Sequence, residues 1–320
     1  MFIIDIKIKS LDDLARCVNL SSLLELSGWP KPGNVHRTKD FEDTRFEHFL
    51  AGVTAIQPNF RELCKKIYNS IESNEREFTT IELGLFYKKS AKEMMRWQSG
   101  GNVLLGHILI LAPLVSAATI CLKTNKVKIE DFEIIVKKLI EDTTVEDTVN
   151  LYEAIRTCNP GGLGRIEKYD VYGENSASEI RQDNITLKKI FELSKDYDLI
   201  SSEYSSGFNI VLNEGLSYFI ETYKISQNIN TATVNTYLKL LSNHLDTLII
   251  RKSGKKDAME VSKTATDILS HGGISTKKGL ELTINFDKDL QKQNGKLNPG
   301  TIADLVAGII FCALIFGLKF

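Results

Sequence analysis

Four segments of the chain gather residue types able to bind phosphate or move protons. The first is PKPGNVHR at 30–37, followed by Asp40, Asp43, Thr44, Glu47 and His48. Pro30 and Pro32 stiffen the backbone on both sides of Lys31, and Gly33 permits a close backbone approach. A cation and several amides are thus held ready for an oxyanion. Lys31, His36 and Arg37, with Gly33 and Asn34 between them, suit a phosphate group. If a helix begins near Asp40, then Asp40, Asp43 or Thr44, and Glu47 recur on one face. They would supply oxygen ligands for Mg²⁺, or a general base, beside those cations. A proline-rich turn with Asp40 or Asp43 as an N-cap uses some of the same residues, but Trp29, Lys31, Asn34, His36 and Arg37 together exceed what a turn requires.

The second segment is Gly100, Gly101 and Asn102, ahead of Gly106 and His107. A Gly-Gly-Asn turn opening an apolar helix points free amides at what lies before it, and a helix N-terminus favours phosphate there. Capping by Ser99 or Asn102 accounts for the turn equally well, and His107 in an apolar run reads as a hydrogen-bonded core residue. The third joins Asp142, Glu146 and Asp147 to NPGGLG at 159–164, then Arg165 and Asp170. It reads either as a metal-triphosphate site or as a capping box and a loop; the Walker pattern G-x-x-x-x-G-K-[ST] is absent. The fourth is Asp246, Thr247, Arg251, Lys252 and Asp257 with His271, where surface charge and a helix C-terminus are sufficient reasons. Asn298, Pro299, Gly300, Thr301 and Asp304 form a helix start explained by its cap.

Helices must position these segments. Ser10 and Asp13 open an apolar-periodic run that Gly28 and two prolines stop. A helical region over 43–70 is expected to break near Gln57, where Pro58 suits a fresh first turn. Thr79 with Glu82 predicts a capping box for a helix reaching Trp97. An apolar helix follows Asn102, an amphipathic one covers 130–141, and Thr144 with Asp147 opens another. Later helices are predicted over 186–196, 201–224, 231–244, 256–271, 276–292 and 301–318. Phe2 to Lys9 and 166–172 are the only strand-like stretches, and neither supplies a sheet.

The chain has 320 residues, 42% of them hydrophobic and 25% charged, which rules out disorder and supports a large core. The expectation is therefore one compact all-α domain over residues 1–320 with buried apolar central helices. Net charge is −1, so the electrostatic footprint of a nucleic-acid partner is missing. The five cysteines show no C-x-x-C spacing, which argues against a zinc knuckle or a disulfide framework. The stretch 103–122 is long enough to cross a bilayer. It carries Gly106, His107, Pro113 and Ser116 and lacks flanking cationic clusters, so it reads as a core helix and no membrane partner is expected. The opening MFIIDIKIKSLDD alternates charges and is unlike a secretory signal, which makes the cytoplasm the expected location. The apolar helices leave room for a homodimer.

Taken in order, the segments resemble the triphosphoribosyl-dephospho-coenzyme A synthase family, the ATP:dephospho-CoA transferases. The resemblance is carried by PKPGNVHR at 30–37, DFEDTRFEH at 40–48, GGN at 100–102, Asp246 and Thr247 with Arg251, and NPGTIADL at 298–305. It covers nearly the whole chain. It implies an all-α fold and a reaction in which the ribosyl C1 of ATP leaves adenine for the 2′-hydroxyl of dephospho-CoA or a related acceptor, keeping the triphosphate. Under it, Lys31, His36 and Arg37 hold phosphate, Asp40, Asp43 and Glu47 supply magnesium ligation or the base, and Asp246 with Arg251 completes the opposite wall. Gly33, Asn34, Gly100, Gly101 and Asn102 join the nucleotide-binding set. Bacterial members follow the Gly-Gly-x-Asn turn with Thr-His-Lys-Gly, whereas Asn102 is followed here by Val103, Leu104, Leu105 and Gly106. The chain thus looks closer to a divergent, mainly archaeal branch. Two other readings stay open: a Mg²⁺-dependent hydrolase of N-glycosidic or phosphate bonds, and a non-catalytic nucleotide-binding protein.

Overall fold

The structure, a computed structural model, describes residues 5–71 and 77–320. Among the described residues there are fifteen α-helices and no strand, only the isolated bridges Asp5 to Lys128 and His36 to Lys39. The helices are α1 (Leu11–Ser27), α2 (Phe46–Ser70), α3 (Leu83–Trp97), α4 (Leu105–Thr124), α5 (Ile129–Glu141), α6 (Val145–Cys158), α7 (Ser176–Gln182) and α8 (Leu187–Ser194). They continue as α9 (Leu199–Ser206), α10 (Leu216–Ser226), α11 (Ile229–Asn243), α12 (Thr247–Ser253), α13 (Lys255–Ser270), α14 (Lys277–Gln291) and α15 (Gly300–Ile315).

The core is built around α4 and α15, both apolar on every face. A helix of that kind must be covered on all sides, here by α1, α10 and α11 around α15 and by α2, α3 and α5 around α4. Each fully buried Leu or Ile contributes roughly 1.5–3 kcal/mol over its exposed state, and α4 is buried from His107 to Cys121 without interruption. That helix has the length and apolarity to cross a membrane, yet 89% of its most apolar 18-residue stretch is buried by neighbouring helices. Gly308 is where α15 and α4 meet, since a Cβ there would fall 2.6 Å from Ile110 Cγ2. One turn earlier, Asp304 of α15 lies against Gly106 of α4. Residues 106 and 110 therefore pair with 304 and 308 in the same order, so the two helices run parallel with their N-terminal ends side by side.

Local signals hold at most helix starts. Ser10 accepts from Asp13 N at 3.1 Å, Asn102 accepts from Leu105 N at 3.1 Å, and Thr144 with Asp147 forms the full capping box. Four expectations change. Pro58 lies inside a continuous α2 because it sits on an exposed face, where water can satisfy the carbonyl it leaves unbonded. Thr79–Ile81 is a 3₁₀ turn, and Glu82 adopts a left-handed conformation and pairs with Lys66, so no capping box forms. Gly84 N in the first turn of α3 instead donates to Asp147 Oδ1 at 2.8 Å. The helix expected over 201–224 is cut at Gly207 into α9, a π-helical stretch (Ile210–Gly215) and α10. The cut is stabilised by buried Glu203, which accepts from the Ile210 and Val211 amides at 2.8 and 2.9 Å. Finally, α7 and α12 lack the length for a periodic signal and were not expected. Of the two strand-like stretches, 166–172 is loop, and residues 2–4 of the other lie outside the described residues.

Candidate active site

A cavity of about 1110 Å³ opens at the N-terminal ends of α4 and α15. Its walls come from Asp43 and Thr44, from Gly100, Asn102, Val103 and Leu105 to His107, from α6 and parts of the loop 159–171, from α8, and from Leu248, Arg251 and Lys252 of α12. The volume exceeds the roughly 300–1,000 Å³ usual for one small ligand, which leaves room for a donor and an acceptor together. Two parallel helices directing their positive ends at one space favour anionic groups there. Apolar side chains, among them Leu109, Leu151, Ile155, Ile190 and Phe191, make up much of the remaining wall.

The floor of the cavity is acidic. Glu25 of α1 and Asp304 of α15 both line it, and His107 lies between them with Nε2 3.4 Å from Glu25 Oε2 and 3.6 Å from Asp304 Oδ1. Lys31 completes the group from behind: its Nζ donates to the Glu25 carbonyl at 3.0 Å and to the Glu25 carboxylate. Burial opposes the ionisation of Glu25, but Lys31 and His107 more than offset it and hold that carboxyl below its ordinary range. Among the described residues Asp304 has no lysine or arginine paired with it, only His107 at 3.6 Å. A fifth of its side chain faces the cavity, and desolvation by the surrounding walls pushes its carboxyl up to about 7. A positive charge on His107 would pull in the other direction, while Glu25 adds to the rise. A carboxyl poised near neutrality in a cleft has the property a general base requires.

Arg251, Lys252 and Lys168 line the same cavity. Arg251 Nη1 donates to Asp198 Oδ2 at 2.8 Å, which fixes the guanidinium, while its buried Nε has no hydrogen-bond partner. Lys252 Nζ is held by the Gly295 carbonyl at 3.2 Å, and Lys168 pairs with Asp183 at 2.5 Å. The cavity thus carries the carboxyls of Glu25 and Asp304 together with three basic side chains, of which Arg251 and Lys168 are paired with Asp198 and Asp183.

The expected site residues divide. Asn34, Asp43, Gly100, Asn102 and Arg251 line the cavity. Lys31 does not; it is fully buried and its charge is engaged by Glu25. Gly33 and His36 are braced from α14, with Asp287 accepting from Gly33 N at 3.1 Å and lying 3.0 Å from His36 Nε2. Gln291 of the same helix donates to the Asn34 carbonyl at 2.8 Å, and Tyr237 to the Pro32 carbonyl at 2.7 Å. The Pro-Lys-Pro-Gly loop thus serves as an internal clamp around Glu25, with Lys31 and His36 engaged by Glu25 and Asp287. Arg37 is exposed over the Trp29 ring, bonded weakly to Asn230 at 3.4 Å.

The shared face of Asp40, Asp43 and Glu47 does not form, because α2 starts only at Phe46. Asp40 accepts from Phe46 N at 2.8 Å and Thr44 donates to the Gly100 carbonyl at 2.9 Å, which closes 40–45 as a loop. Asp40 and Glu47 are exposed outside the cavity lining, and no cluster of three His, Cys, Asp or Glu side chains fit to hold a metal occurs among the described residues. Gly101 lies beside the cavity lining with its carbonyl bonded to Gln98 at 2.8 Å. Asp246 is fully buried. Its Oδ1 accepts from Leu248 and Ile249 N, its Oδ2 from Ile302 N, so it ties the starts of α12 and α15 together. Burial pushes its carboxyl up to about 6 against the pull of those amides.

Glu25, His107 and Asp304 as one group escaped the sequence reading, as did Lys168. A signal existed for two of them: His107 and Asp304 interrupt apolar runs, and a charge so placed must find partners or a function. What brings them together is the parallel packing of α4 and α15, which no local pattern encodes.

Residues 11–319 match the family model described as CitG, ATP:dephospho-CoA triphosphoribosyl transferase. The chain is 26% identical over 301 residues to a 2-(5″-triphosphoribosyl)-3′-dephosphocoenzyme-A synthase of Escherichia fergusonii, covering 92% of this chain and 88% of the relative. It is 24% identical over 305 residues to Protein CitXG of Leuconostoc mesenteroides subsp. cremoris, of which the match spans 57%. A crystal structure from Archaeoglobus fulgidus, of a protein proposed to be a triphosphoribosyl-dephospho-coA synthase, superposes with a TM-score of 0.63 at 25% identity, over 84% of this chain and all of that one. With the family model matched almost from end to end, the chain belongs to the ATP:dephospho-CoA triphosphoribosyl transferase family.

Proposed function

We propose that the chain transfers the triphosphoribosyl group of ATP to the 2′-hydroxyl of dephospho-CoA or a related acceptor and releases adenine. The observation that supports this reading best is a cavity of about 1110 Å³ lined both by Asp304, whose carboxyl burial pushes up to about 7, and by the basic side chains of Arg251, Lys252 and Lys168. In the step envisaged, the acceptor oxygen bonds to C1′ of ATP as the C1′–N9 bond breaks. Asp304 takes the hydroxyl proton and later releases it to water, and adenine leaves with the bonding electrons and takes up a proton from water. The developing positive charge at the sugar is stabilised by the carboxylates of Glu25 and Asp304. Arg251 and the lysines hold the triphosphate and fix C1′ over the floor.

Magnesium fits this donor set as a companion of the substrate. It is commonly held by one or two carboxylates plus phosphate oxygens, and Asp43 is the expected ligand that lines the cavity. Bound there, the ion would neutralise triphosphate charge.

The test is direct. Incubation with Mg-ATP and dephospho-CoA is expected to yield free adenine and an acceptor heavier by one triphosphoribosyl group. Adenine release without acceptor would assign the site to hydrolysis, and nucleotide binding without adenine release would leave a binding protein.

A further inference from the structure

We propose that His107 is a positioning residue for the base: a neutral imidazole whose Nε2–H passes between Glu25 and Asp304 as the Asp304 carboxylate loses and regains its proton. The inference rests on the assignment of Asp304 as base. It stands on three features of the ring. His107 is 2% exposed, so hydrogen-bond partners for its ring come from the protein around it. Its Nε2 is 3.4 Å from one carboxylate and 3.6 Å from the other, closed onto neither, so a small tilt completes a hydrogen bond to either. Its Nδ1 is buried and has no hydrogen-bond partner among the described residues.

The third feature selects the neutral form. An imidazolium would place an N–H at Nδ1 with nothing to accept it, and an unpaired buried donor carries the full desolvation penalty. The neutral tautomer with its proton on Nε2 leaves only a lone pair there and aims the donor at the two acids.

The charged and titratable groups around Asp304 are Glu25 from α1, Lys31 from the loop after it, His107 from α4 and Asp246 before α12. Lys31 already neutralises Glu25. The Nε2–H is therefore free to serve whichever acid needs it more. When Asp304 is ionised, the donor stabilises it; when Asp304 has taken the acceptor's proton, the donor returns to Glu25. His107 thus lowers the proton affinity of Asp304 without touching substrate.

The experiment uses the full chain labelled with ¹⁵N at histidine, together with His107→Leu and His107→Gln. Between pH 6 and 8 the His107 nitrogens are expected to show Nε2 protonated and Nδ1 bare, with an Nε2 shift that follows the acid limb of kcat/KM. In His107→Leu that limb should move up by about one pH unit, so kcat/KM at pH 6 falls about tenfold and is regained by pH 9; glutamine, which keeps an N–H donor, should restore it. A doubly protonated His107 at pH 7 would overturn the inference, as would a leucine variant with an unmoved limb, whether at full rate or uniformly slowed. If His107→Leu does not fold, the labelled wild type and His107→Gln decide. If the wild type releases no adenine at all, the transferase reading fails, and the imidazole spectrum still decides the state of His107.

Discussion

A Cβ on Gly106 would stand 1.8 Å from Oδ2 of Asp304. The glycine leaves the space in the first turn of α4 that the carboxylate of α15 occupies. An alanine there would be met by a movable carboxylate and would gain helix propensity, so Gly106→Ala is expected to melt within a few degrees of wild type. Displacing the base by about an ångström should nonetheless lower kcat on the order of 10²-fold. Steady-state kinetics beside a melting curve checks both halves.

Asp304 is retained at a cost in stability. Its carboxyl is held at about 7 when folded, against an ordinary aspartate value of 3.8, so the folded state binds the proton more tightly. Stability attributable to this group is therefore complete below pH 3.8, falls as pH rises towards 7 and stays low above it. Asp304→Asn removes the penalty and should be more stable than wild type at pH 8 by on the order of 2 kcal/mol, discounted for the part facing the cavity. The difference should shrink as pH falls towards 4. Denaturant melts at pH 4, 6 and 8 measure it.

Lys31 and Glu25 form a buried pair that breaks asymmetrically. Lys31→Met leaves the Glu25 carboxylate uncompensated and should cost about 3–5 kcal/mol. The double variant Lys31→Met with Glu25→Leu should recover a large part of that loss. A single variant as stable as wild type in chemical denaturation would show that Lys31 is not the partner of Glu25.

The two arginines of the expected site should separate in kinetics. Arg251 lines the cavity and Arg37 does not. Loss of a charge-assisted phosphate contact is worth roughly 1.5–3 kcal/mol, so Arg251→Ala should raise the KM for ATP about 10- to 100-fold, while Arg37→Ala should stay within about twofold. Initial rates over an ATP series distinguish them.

Sequence made the helical class, the buried apolar helices and most helix starts legible, because periodicity and capping act over a few residues, as Ser10 and Thr144 show. Of the residues the motifs singled out, Asn34, Asp43, Asn102 and Arg251 line the cavity. The motifs also drew in Lys31, His36 and Asp246, which are buried against protein partners, since a charged residue in a motif looks the same whether it meets a ligand or braces a loop. The difference lies in Glu25, Asp287 and the Ile302 amide, which are brought to them by tertiary packing. Asp304 was read as part of a helix start because its distinguishing neighbour, Gly106, is almost 200 residues away along the chain.

Single-turnover adenine release from Mg-ATP and dephospho-CoA, followed from pH 5 to 9 in wild type and Asp304→Asn, tests the role of Asp304 most directly. The wild-type rate should rise with pH through a limb near 7. Asp304→Asn should be slower by about 10²–10⁴-fold and show no such limb. An asparagine variant that keeps the wild-type rate and the same limb would contradict the assignment of Asp304 as the base.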